Sequence, residues 1–124
     1  MIKTLRLLTM ALLLSLPLAA QAGQPFDSKV FSDAQTAGKS ILVDVTAPWC
    51  PTCKQQKPII EGLETAHPNL TVFEVDFDSA KDLLKKFNVQ YQSTLIVFKG
   101  TTEVGRSTGA TDANAIGSLI AKGL

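Results

Sequence analysis

The chain carries two cysteines, Cys50 and Cys53, with Pro51 and Thr52 between them. Thiols at that spacing can clip a metal, staple a loop, or exchange electrons as a dithiol and a disulfide. A structural zinc ion needs about four Cys or His ligands. Only His67, in the turn-like "HPN", could add to the two cysteines, so one chain cannot complete such a site. A staple across two intervening residues closes a very short loop and changes chain entropy little. The reacting pair fits best. Cys50 follows an apolar run and opens a helical pattern, where unpaired backbone N–H groups and the helix dipole favour a thiolate. Cys53 lies one turn further in, close enough to attack a mixed disulfide on Cys50 and release the partner.

Those residues must be held by the elements around them. "ILVDV" (Ile41–Val45), "LTVFEVDF" (Leu70–Phe77) and "TLIVF" (Thr94–Phe98) are short, apolar and rich in β-branched residues, which predicts buried strands. "EVGRS" (Glu103–Ser107) is a weaker strand, joined to the third by the turn-like "KGTT" as an antiparallel hairpin. Helical patterns fall between them. From Cys53 to about Ala66, Ile59, Ile60 and Leu63 share one face, while Lys57, Glu61 and Glu64 share the other. Ser79 can cap a helix that buries Leu83, Leu84 and Phe87 and turns Lys81, Lys85 and Lys86 to water. Thr111 can cap a last helix that buries Ile116, Leu119 and Ile120. A first helix between Phe26 and about Ala37 is weakly patterned. The order α-β-α-β-α-β-β-α predicts one α/β domain: a parallel core, an antiparallel edge, and helices on both faces.

Composition sets the compartment. Of the 124 residues, 45% are hydrophobic, which suits one globular domain. The first 22 residues read as a cleaved signal peptide. Lys3 and Arg6 precede an apolar run from Leu7 to Ala20, and Ala20-Gln21-Ala22 gives the small-x-small cleavage pattern. An uncleaved anchor is the alternative. The apolar run falls short of the ~20 residues of a membrane-spanning helix, and Pro17 interrupts it. Cleavage after Ala22 leaves the domain Gly23–Leu124, near-neutral in charge, with no general electrostatic case for nucleic acid or an anionic membrane. Export takes the cysteines to a compartment where disulfides persist.

The segment "VDVTAPWCPTCK" resembles the active site of the thioredoxin family, and the match runs over nearly the whole domain, Phe26 to Lys122. Trp49 takes the place of the tryptophan before the first cysteine, and Asp44 falls at the family's buried aspartate. Pro58 matches the proline of the active-site helix, and "FKG" and Gly109 fall at familiar positions. The resemblance implies a thioredoxin-like fold with a mixed four-stranded sheet, the family's N-terminal strand being absent because only Gly23–Pro25 precede the first helix. It implies a periplasmic thiol–disulfide oxidoreductase without a cofactor. Cys50 would attack, Cys53 would resolve, and Asp44 would relay the proton, its pKa raised by burial. The bland alternative for Asp44 is a solvent-facing carboxylate, with Ile41, Val43 and Val45 facing in. Trp49, Pro51, Thr52, Gln92, Ser93 and Thr94 would form the docking rim. Implied partners are disulfide-bearing periplasmic proteins and, as electron donor, a membrane thiol transporter of the DsbD or cytochrome-c-biogenesis kind, with the chain itself a monomer.

Two departures from the family matter. Pro51-Thr52 holds no histidine to pair with a thiolate, which points toward a reductant or an isomerase-pathway carrier. The family's cis-proline is replaced by Ser93 in Gln92-Ser93-Thr94-Leu95. A cis bond before a non-proline residue costs about 2.5–4 kcal/mol, so a trans bond is expected there. A hydroxyl at that position could bond a thiolate or a substrate backbone. Loss of the proline also leaves a second reading open: an iron–sulfur cluster or Cu(I) held between two chains by Cys50 and Cys53.

Overall fold

The computed structural model describes residues 23–124; the expected signal segment and its cleavage point lie outside them. Nine elements follow one another: β1 (Gln24–Pro25), α1 (Ser28–Thr36), β2 (Ser40–Thr46), α2 (Pro51–Ala66), β3 (Leu70–Asp76), α3 (Lys81–Lys86), β4 (Thr94–Lys99), β5 (Thr102–Thr108) and α4 (Ala113–Ala121). They form one sheet in the order β1-β3-β2-β4-β5. β2 is its hinge line, parallel to β3 on one side and antiparallel to β4 on the other. β5 closes the antiparallel half as the expected hairpin partner of β4.

The sheet has five strands among the described residues, which corrects the expected four. β1 pairs Gln24 and Pro25 with Phe73 and Glu74. Two residues carry no alternation to read, and tertiary contacts hold them instead. Phe26 N–H donates to the Glu74 carbonyl at 2.9 Å, and the Gly23 N–H donates to Glu64 Oε2 at 2.9 Å. The Phe26 ring then packs among Phe31, Phe73 and Phe87. The antiparallel region also reaches further in than an edge hairpin, since β4 sits beside the central strand.

Two of the expected helix caps move by a residue or more. Asp112, not Thr111, caps α4 by accepting the Ala115 N–H at 2.8 Å. α3 starts from Ala80 with no side-chain cap, and Ser79 instead donates its N–H to Asp76 Oδ1. At α4 a carboxylate one residue on does the capping that the Thr111 hydroxyl was expected to do, whereas at α3 the Asp76 carboxylate binds the turn before the helix and leaves its first turn without a side-chain cap. α1 is capped by Asp27, which accepts from Lys29 and Val30.

Side-chain alternation along β2 separates two cores. Ile41, Val43 and Val45 meet Phe31 of α1 and Leu84 of α3, with Phe87 just beyond it, on one face. Leu42 meets Ile60 of α2 and Ile116, Leu119 and Ile120 of α4 on the other. Asp44 comes two residues after Leu42 and so lies on the α2 side of the sheet. Each β2 residue from Ser40 to Val45 is buried, which makes this strand a rigid base for the loop that carries the cysteines.

Candidate active site

β2 delivers the chain through Ala47, Pro48 and Trp49 to Cys50, the N-cap of α2. Pro51 then takes the first helical position, where its missing N–H would have had no partner in the helix anyway. Cys50 Sγ acts as the capping acceptor and receives the Cys53 N–H at 3.1 Å. Cys50 and Cys53 are joined as a disulfide, with Cα atoms 5.3 Å apart. Cys50 is fully buried and Cys53 nearly so, packed with Ala47 and Phe77. A sulfur at a helix N-cap is where backbone N–H groups favour negative charge, so reduction would leave Cys50 the better thiolate of the two.

Asp44 is 8% exposed, which settles its orientation against the solvent-facing alternative. Burial pushes its carboxyl from 3.8 up to about 7, the Glu74 charge adds to that, and Lys57 opposes it. Its Oδ1 accepts no hydrogen bond among the described residues, so little there stabilises the ionised form. Glu74 stands opposite Asp44 in the β2–β3 register, and its own pKa is raised, by burial first. Asp44, Cys53, Lys57 and Glu74 all line one open cleft of about 490 Å³ between the sheet and α2. The arrangement puts a carboxyl that titrates near neutrality in the same cleft as the inner sulfur. It can take the Cys53 proton as that sulfur attacks and return it when the disulfide opens.

The expected rim residues divide. Trp49 is 54% exposed, donates its indole N–H to Asp78 Oδ2 at 2.8 Å, and stands edge-on to Phe77. Pro51 is exposed, and Thr52 and Gln92 are half-buried. Ser93 and Thr94 are buried. The Gln92–Ser93 bond is trans and Ser93 takes φ +57°. Its N–H donates to the Val45 carbonyl at 2.8 Å, and its hydroxyl donates to the Gln92 carbonyl at 2.6 Å. The hydroxyl is therefore spent inside its own loop rather than on a thiolate or substrate. Thr94 Oγ1 is likewise occupied, by the Tyr91 carbonyl and Thr108 Oγ1.

Three residues escaped the sequence reading. Glu74 becomes visible from strand alternation once β2 and β3 are set in register. Gln56 sits in phase with Cys53, Ile60 and Leu63, so helical spacing marked it as inward-facing despite its polarity. Tyr91, 63% exposed beside Gln92, had no signal beyond lying in a loop. Among the described residues, no group of three or more His, Cys, Asp or Glu side chains is arranged to hold a metal ion.

The comparisons with known proteins agree with this geometry. The family model described as Thioredoxin matches residues 18–122. Thioredoxin from Chlamydia trachomatis is 37% identical over 92 residues, covering 74% of this chain and 89% of that protein. Thioredoxin-1 of Saccharomyces cerevisiae is 35% identical over 88 residues, covering 71% and 81%. Among solved structures, Trxlp from Edwardsiella tarda EIB202 superposes with a TM-score of 0.75 at 41% identity, covering 77% of this chain and 95% of that one. A match over most of the chain, to sequences and folds alike, leaves one conclusion: the chain belongs to the thioredoxin family of thiol–disulfide oxidoreductases.

Proposed function

We propose that this oxidoreductase works in the periplasm as a reductant, carrying electron pairs from a membrane thiol transporter to disulfides of exported proteins. The Cys50 thiolate attacks one sulfur of a substrate disulfide, forming a mixed disulfide and expelling the other substrate sulfur as a thiolate. Cys53 gives its proton to Asp44 and attacks Cys50, which releases the second substrate thiolate and leaves the Cys50–Cys53 disulfide. Two electrons pass to the substrate, whose thiolates take up the protons.

The observation that carries the direction is the company of Cys50. Its sulfur receives the Cys53 backbone N–H, and no charged side chain donates to it among the described residues. A thiolate stabilised only modestly makes a reduced form that gives up electrons readily. Export rests on the sequence of residues 1–22, and the electron donor is a transporter of the DsbD or cytochrome-c-biogenesis kind.

The test is equilibration of the purified protein in dithiol–disulfide buffers. A potential nearer about −270 mV than about −120 mV supports a reductant. A value near the oxidising end would reverse the proposed electron flow. In the same preparation Cys50→Ser should abolish dithiothreitol-driven reduction of insulin, and Cys53→Ser should trap substrates as mixed disulfides in periplasmic extracts.

A further inference from the structure

Gln56 is 1% exposed, on a helix face otherwise given to Cys53 and Ile60. Its Nε2 donates to the Ser93 carbonyl at 3.2 Å and to the Ala110 carbonyl at 2.9 Å. One side chain thus ties the active-site helix to the loop before β4 and to the loop before α4. Its Oε1 has no partner among the described residues. A buried acceptor left unpaired is costly, so methionine of similar length would suit this position better if packing were all that mattered. The amide must do something a methionine could not.

The loop it grips explains what. Ser93 stands where the resemblance places a proline, so no ring fixes that backbone. It sits at φ +57°, a region costly for any residue with a Cβ, which persists only where surrounding contacts impose it. Its N–H is held by Val45, and its carbonyl is held from two sides, by the Gly109 N–H at 3.0 Å and by Gln56. Tyr91 and Gln92, the accessible part of the loop, hang directly from this anchor.

We infer that Gln56 is a positioning residue, a hydrogen-bond clamp that replaces a ring as the fixture of the Ser93 loop and so favours polypeptide disulfides, whose longer chains would reach the docking rim that the resemblance places at Gln92–Thr94, over small ones. This rests on the redox reading above. A small disulfide has no flanking chain to lay against Tyr91 and Gln92, so its reduction should depend less on how they are placed.

Two experiments test the inference. In the wild-type protein, NMR should show the Gln56 carboxamide protons exchanging with solvent at least about tenfold more slowly than those of exposed Gln55. Equal rates would overturn the clamp without any variant being made. Gln56→Met should then lower kcat/KM for insulin by about tenfold, chiefly through KM, with hydroxyethyl disulfide changed less than about twofold. A loss equal on both substrates, or none on insulin, overturns the specificity role. If Gln56→Met is too unstable to assay, Gln56→Asn, whose amide falls a methylene short, takes its place with the same expected split. Failure of the wild type to reduce either substrate would instead strike at the redox reading itself.

Discussion

Replacing Asp44 by asparagine should stabilise the oxidised protein above neutral pH and leave it nearly unchanged in acid. Below about pH 4 the carboxyl is protonated in both the folded and the unfolded chain, and its ionisation costs nothing. Between about pH 4 and pH 7 the unfolded chain releases its proton while the folded chain keeps it, because burial has moved the carboxyl from 3.8 to about 7. Folding must then take up a proton, so stability falls as pH rises through this window. Above about pH 7 both forms are ionised and the full penalty remains. A displacement of about three on the pH scale corresponds to roughly 4 kcal/mol, an upper figure because relaxation and water entry soften it. Urea unfolding of oxidised wild type and Asp44→Asn at pH 4, 6 and 8 should give a stability difference that grows by about 2–4 kcal/mol across the series. A difference that stays flat with pH would refute the reasoning, because packing changes alone carry no pH dependence. Asp44→Asn should also slow disulfide turnover at neutral pH, since asparagine cannot take the Cys53 proton.

Glu74→Gln removes a negative neighbour, so the midpoint of this stability loss should move to lower pH, whereas Lys57→Met should move it higher; urea titrations across the same range read both. Ser93→Pro should destabilise by at least about 2 kcal/mol in urea unfolding, since proline cannot adopt φ +57° and removes the donor to Val45. Ser93→Gly suits that backbone and should fall within about 1 kcal/mol of wild type, the relief of strain offsetting the lost hydroxyl bond. Gly123→Ala would bring a Cβ to 2.6 Å from Val97 Cγ1 and 3.1 Å from the Phe98 carbonyl, and should cost about 1–3 kcal/mol by thermal or urea unfolding.

Where local pattern decided the outcome, the sequence was enough. The runs at Ile41–Val45, Leu70–Phe77 and Thr94–Phe98 are apolar on both faces because the strands are covered by helices on both sides, and such runs are hard to misread. The spacing of Cys50 and Cys53 at a strand-to-helix junction likewise exposed the redox pair. β1 was missed because a two-residue strand exists only by virtue of its partner, through Phe73, Glu74 and the packing of Phe26. The Ser93 loop showed its missing proline, but the serine's own hydrogen bonds depend on Val45, Gln56 and Gly109, all distant in sequence. Gln56 illustrates the same limit from the other side. Its helical phase was visible, yet its partners were not, and a polar residue in an inward phase has no meaning until those partners are known.

The disulfide spans so few residues that it barely restrains the unfolded chain. In a thermodynamic cycle linking oxidation to unfolding, the two redox forms then differ in stability only through contacts made near Cys50 and Cys53. A change that weakens both forms alike, as Gly123→Ala should at the far end of α4, cancels around the cycle and leaves the reduction potential where it was. A change at Asp44 does not cancel, because the cost of its charge depends on whether Cys53 is a thiol or half of a disulfide. Stability can therefore drift at sites far from the cysteines while the electron poise stays fixed, whereas a change at Asp44 moves both together.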